Sequence, residues 1–139
     1  MRLLTVYDVV NQAQLELSIA PRSIQTAVTS NDRDIVQMVA LLSAVADEVV
    51  MDEPYKETLG DGIWLKDTAG NPKSSPTADT DVVLFDGRVA VDGLKYKFLQ
   101  QKGLEYGEVM RDFIVRMNRL AARANARIID LDTDQGRMI

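Results

Sequence analysis

Apolar residues fall into helical period over most of the chain. From Glu105 to Arg127, Tyr106, Val109, Met110, Phe113, Met117, Leu120 and Ala124 recur every three or four positions, the spacing of one helix face. Val6, Val9, Val10, Ala13 and Leu17 form a narrower stripe, so a first helix is predicted over 6–17. Thr5 is placed to cap it, and Asp8 three residues on completes a capping box. Pro21 ends that pattern because the residue before a proline is steered out of helical geometry. Residues 22–30 carry only a weak helical signal around Ile24 and Val28. Ser30-Asn31-Asp32 is a strong start signal for a second helix running to about Val50. Its apolar set (Ile35, Met38, Val39, Leu42, Val45, Ala46, Val49) covers about half the circumference, which predicts the central helix of the core. Asp86-Gly87 opens a third helix to about Lys102, with Gly103 as its stop. Gly93 inside it counts against helix by roughly 1 kcal/mol relative to alanine.

Two stretches break the period. Between residues 54 and 85, Gly60, Gly62, Gly70, Pro72 and Pro76 punctuate the chain. Gly62-Ile63-Trp64-Leu65-Lys66 is strand-like, Asp67 to Asn71 is rich in turn formers, and Val82-Val83-Leu84-Phe85 is a second short apolar run able to pair with the first. This predicts a β-hairpin or loop excursion inserted between helical halves. After the last helix, Ile128-Ile129-Asp130-Leu131-Asp132 abandons the period and continues to Ile139 as an acidic, apolar-tipped arm. The predicted architecture is mainly α: a single domain over 1–139, with about four bundled helices in 1–53 and 86–127, an excursion over 54–85 and an extended arm over 128–139.

Composition narrows the chemistry. The 139 residues, 46% of them hydrophobic, suffice for one core. A net charge of −5 disfavours broad, non-specific binding to nucleic-acid phosphates. No run of about 18 apolar residues occurs and Arg2 and Asp8 interrupt the start, so a soluble, cytoplasmically made protein is expected. There is no Cys and no His. That removes disulfides, thiolate metal sites, imidazole bases and every Ser-His-Asp arrangement. Catalysis would have to rest on carboxylates, lysine, tyrosine or a bound ion, so no enzyme activity, cofactor or metal is expected.

Arg116, Arg119, Arg123 and Arg127 form a second stripe on the last helix, centred roughly 100° from its apolar face, and therefore able to reach a neighbour. Asp47, Glu48, Asp52 and Glu53 crowd the end of the second helix, where the macrodipole disfavours anions. They are the natural partners for those arginines, within the subunit or across to the next. The alternative is a solvated face, with Asp112 paired to Arg116 one turn away.

The order of elements resembles the head-to-tail adaptor (connector, head-completion) proteins of tailed bacteriophages. The resemblance is carried by Leu4-Thr5-Val6 and Asp8-Val9-Val10 through Leu17, Ile19 and Pro21; by Ser30-Asn31-Asp32 leading into Ile35 to Leu42; and by Leu94 to Leu99 through Gly103 to the Arg/Ala-rich helix from Phe113 to Arg127. It covers most of the chain outside 54–81. It implies a structural virion protein of the capsid–tail neck, assembled from host cytoplasm. Subunits would form a homo-oligomeric ring, expected to match the twelvefold portal, that docks on the portal protein and receives the next tail component, with genomic DNA passing through its channel. The short, glycine-rich excursion, with no aromatic-rich segment ahead of it, departs from the family pattern. The rival classes are a small helical regulatory or scaffold module without a virion role, and a carboxylate-dependent cell-wall hydrolase.

The candidate protein–protein interface therefore comprises Trp64, Arg116, Arg119, Arg123, Arg127, Ile129, Leu131, Met138 and Ile139. Trp64 is the sole tryptophan and serves either as an interface anchor or as a lid over the bundle. The arm either fills a partner's apolar pockets or is a frayed terminus. The free protein is expected to be monomeric or heterogeneous. Asp130, Asp132 and Asp134 resemble the start of a calcium loop, but Gln135 stands where the sixth-position glycine belongs and the chain ends before the twelfth position. Asp61, Asp67, Asp79, Asp81 and Asp86 could supply a glycosidase-type pair, although aspartates among glycines and prolines are usually turn formers. Gly60-Asp61-Gly62 is too short to cradle a phosphate.

Overall fold

The computed structural model describes residues 2–19, 22–50, 62–120 and 122. Among them are four helices: α1 (Val6–Glu16), α2 (Arg33–Val50), α3 (Gly87–Gln101) and α4, described over 107–120. Three two-residue strands, β1 (Leu65–Lys66), β2 (Pro72–Lys73) and β3 (Val82–Val83), form an antiparallel sheet in the order β2-β1-β3. The protein is mainly α, a helical bundle carrying a small sheet.

Local chemistry sets the helix ends. The Asp8 amide donates to the Thr5 hydroxyl at 3.1 Å and the Thr5 amide to the Asp8 carboxylate at 3.4 Å, so the expected capping box is present. The Asp32 carboxylate accepts from the Asp34 amide at 2.9 Å at the head of α2. Asp86 accepts from the Val89 amide at 3.1 Å at the head of α3. Gly103 follows α3 with φ of 72°, the left-handed conformation that a side chain resists.

The core lies where α1, α2 and α3 meet. Val6, Val9, Val10 and Ala13 face Met38, Leu42, Val45 and Val49 of α2 and Val89, Ala90 and Leu94 of α3, all buried. The broad apolar arc of α2 makes it central, as its pattern predicts. Gly93 has a packing reason that its helix propensity hides. A Cβ there would stand 2.6 Å from Val45 Cγ1 and 2.9 Å from Phe113 Cε2, so only glycine lets α2, α3 and α4 approach this closely. Gly87 is likewise pressed against the Leu4 side chain and the Arg2 carbonyl.

Residues 62–86 do not stand away from the bundle. Trp64, Leu65, Val83 and Phe85 are buried in the common core. Thr5 bridges to Val82, Val83 N–H donates to the Leu4 carbonyl at 2.9 Å, and Gly87 N–H to that of Arg2 at 2.7 Å. The described part of the predicted excursion is therefore a sheet that closes one side of the bundle. β1 pairs with β3 as the two apolar runs suggest, with Leu65 opposite Val83. β2 carries Pro72, a residue that discourages strand prediction, yet one tolerated on an edge strand such as this. Residues 22–30 form bends and a tight turn rather than a turn of helix. They are fastened by the Asp79 carboxylate, which accepts from the Ala27 and Val28 amides, and by the Tyr7 hydroxyl on the Ile24 carbonyl. The segment 51–61 and the arm 128–139 lie outside the described residues.

Candidate interaction surface

An ion network ties α1, α3 and α4 together. Arg88 spans both oxygens of Glu16, at 2.7 and 2.6 Å, and reaches Asp92 at 2.7 Å. Lys95 adds a bond to Glu16 at 2.9 Å. The hydrogen bonds from Arg88, opposed by burial and reinforced by Lys95 and Gln12, hold the Glu16 carboxyl at about 2, and those same acids raise the Arg88 pKa further. Asp92 is nearly fully buried, and Arg116 approaches its other oxygen with Nε at 3.4 Å.

This placement reassigns Arg116. Among the described residues its ion-pair partner is Asp92 on α3, not Asp112 one turn away nor Asp47 or Glu48 at the end of α2. Glu48 is taken by α3 instead, through Lys97 at 3.0 Å and the Tyr96 hydroxyl. Burial first, and then Glu48, push the Tyr96 phenol upward. Asp47 has no ion pair among the described residues. Arg119 is exposed and also has none among them. Arg123, Arg127, Ile129, Leu131, Met138 and Ile139, with Asp52 and Glu53, lie outside the described residues.

Trp64 is 4% exposed and its indole N–H donates to the Ser74 carbonyl at 2.9 Å. It is a core residue under the sheet rather than a surface anchor. Within the subunit the ring is shielded from solvent, as a lid over the bundle would be.

The loop aspartates are committed to backbone. Asp67 accepts from the Ala69 and Asn71 amides and the Asn71 side chain, which lowers its pKa, the Asn71 amide most. One oxygen of Asp81 accepts from Lys73 at 2.6 Å and from the Thr77 and Ala78 amides; burial raises its pKa, but these bonds prevail and lower it. Asp79 fastens residues 27 and 28, and Asp86 caps α3. Asp61 lies outside the described residues. The four described aspartates thus act as turn and cap residues. A cleft of about 420 Å³ beside α1 is lined by Arg2, Asp8, Asn11, Gln12, Asp86 and Arg88. Of its charged groups, Asp8 and Asp86 serve the N-termini of α1 and α3, and Arg88 is bound to Glu16. No group of three acids arranged to hold a metal occurs among the described residues, and no helix among them is long and apolar enough to cross a membrane.

What the surface does offer is α4. Only Phe113 and Met117 of its described residues are buried; Tyr106, just before it, and Val109, Met110 and Leu120 are half-buried. Ile114 and Val115 are exposed, with Arg111 and Arg119 nearby on the same helix. Helical geometry puts Ile114 and Val115 roughly 100° and 200° from Phe113. Their apolar character off the main stripe is a signal legible in the sequence that the predicted interface leaves out. No known protein family, curated protein or solved structure matches this chain.

Proposed function

We propose that this protein is a structural link of the head-to-tail adaptor kind. It would form a homo-oligomeric ring that docks on a portal protein, receives the next tail component and lets DNA pass through its channel. It would act in the virion neck after assembly in the host cytoplasm. The observation that carries the reading is α4, a helix held to its bundle by one narrow stripe while Ile114, Val115 and Arg119 face outward. Such a helix leads directly into the Arg/Ala-rich segment and the apolar-tipped arm that the sequence shares in pattern with adaptors. The commitment of the loop aspartates to backbone turns supports assembly over hydrolysis. A small contact repeated around a closed ring, on a preformed template, gains through effective concentration what one contact lacks.

Velocity sedimentation of the chain alone and mixed with purified portal protein tests this. Ring-sized species that form only with portal are expected; a fixed small oligomer, indifferent to portal, overturns it. That second outcome belongs to a helical regulatory or scaffold module, a reading favoured by one observation: residues 62–86 close onto their own bundle instead of projecting.

A further inference from the structure

The outer face of α2 is uncharged along its middle and charged at its two ends. Projected at 100° per residue, Arg33, Val36, Gln37, Ala40, Ser43, Ala44 and Asp47 all fall within about 60° of Ala40. Arg33, Val36, Ala40 and Asp47 are exposed, Val36 by 51%. Val39 and Leu41 flank them half-buried. From Val36 to Ala44 this face carries no charge, where a solvent face ordinarily alternates charged side chains. Small residues at its centre would let a second helix approach to about 10 Å.

The two charges at its ends are self-complementary. Arg33 and Asp47 are equidistant from Ala40 in sequence and stand about 21 Å apart along the helix. Each has the wrong sign for its own end of the macrodipole, a cation in the first turn and an anion in the last. Neither has an ion pair among the described residues. By contrast, their neighbours Asp34 and Glu48, turned toward α3, are paired with Lys102 and Lys97. The acids facing the bundle have partners inside it, and the two charges facing outward do not.

We infer that this face is a contact between two copies of the chain, in which their α2 helices pack antiparallel about Ala40 and Arg33 of each meets Asp47 of the other. A shallow crossing of about 20° offsets the axes sideways by only ~4 Å at the level of these residues, within reach of an arginine. A two-helix contact falls short of the roughly 1,200 Å² of a standard stable interface, so the pair is a concentration-dependent one. The pairing does not rest on the adaptor reading and forms without portal. Where that reading also holds, the pair has a use: closed by its two-fold, it keeps free subunits from polymerising away from the portal.

The natural absence of cysteine makes the test direct. Ala40→Cys should give a disulfide-linked dimer under mild oxidation, since the two-fold brings the paired Cβ atoms together. Ala69→Cys, exposed at the turn between β1 and β2, serves as the background control. In sedimentation equilibrium without portal, Asp47→Arg alone and Arg33→Asp alone should each weaken self-association by about tenfold or more, like charges then facing each other. The combined Arg33→Asp, Asp47→Arg chain should return to within about threefold of the parent. Circular dichroism confirms that each variant is folded. A parent chain that stays monomeric, an Ala40→Cys variant that crosslinks no faster than the Ala69→Cys control, or a double swap that fails to restore association overturns the inference. Coverage of this face by another part of the same chain would give the first of these results.

Discussion

Arg116 on α4 directs its Nε to the buried carboxylate of Asp92 on α3, 3.4 Å away, so one of the arginines that the sequence offers to a neighbour is held inside its own subunit. The two partners differ in environment: the Asp92 side chain is 4% exposed and that of Arg116 is 47% exposed. The carboxylate therefore depends on its cations far more than the guanidinium depends on it.

Asp92→Ala should lower unfolding free energy by about 2–3 kcal/mol, because it removes a buried acceptor from two arginines. Arg116→Ala should cost less than about 1 kcal/mol, Arg88 still satisfying the carboxylate and solvent already screening the exposed partner. Urea unfolding of both single variants and the double variant checks the ordering. A costlier Arg116→Ala would place that side chain at the centre of the network.

Gly93→Ala should destabilise despite alanine's better helix propensity. The added methyl would sit 2.6 Å from Val45 Cγ1 and 2.9 Å from Phe113 Cε2. Overpacking of about 1–3 kcal/mol outweighs a propensity gain of at most about 1 kcal/mol. Thermal melting should show the loss, and adding Val45→Ala should recover part of it.

Glu16 makes stability sensitive to acid. Its folded value of about 2 lies below the ordinary 4.5, so between those values the unfolded chain binds the proton and the folded chain does not. Its contribution is complete above pH 4.5 and disappears as pH falls toward 2. After allowance for solvent screening the difference is about 1–2 kcal/mol. Glu16→Gln should be less stable than the parent at about pH 7, and the gap between them in urea midpoint should narrow by about pH 3.

Local signals in this chain are legible where backbone hydrogen bonding alone decides them. The Thr5 and Asp8 capping box, the Asp32 and Asp86 starts and the Gly103 stop all follow from short-range chemistry. What the sequence conceals depends on which elements meet. Gly93 reads as a helix weakness until Val45 and Phe113 are placed beside it. Pro72 argues against a strand until the strand proves to be an edge. The partner of Arg116 is not legible in the sequence, because only the fold shows that Asp92 is buried beside α4 while Glu48 is taken by Lys97. Trp64 carries no sign of its own burial, since a tryptophan between glycines and a turn fits an anchor as well as a lid.

Trp64 also supplies a reporter for the proposed assembly. Its ring is buried and its Nε1–H is bonded to the Ser74 carbonyl. As the sole tryptophan it reports the integrity of the sheet and core alone. Its fluorescence should be shielded from acrylamide in the free protein and stay so, with unchanged emission, when portal is added. Trp64→Phe should cost about 1–2 kcal/mol through the lost hydrogen bond and reduced ring volume, yet leave portal-dependent sedimentation intact at temperatures below its melt. If portal instead shifted the emission, or if Trp64→Phe abolished ring formation in a chain that remained folded, the sheet side of the bundle would be the docking face and α4 would lose that role.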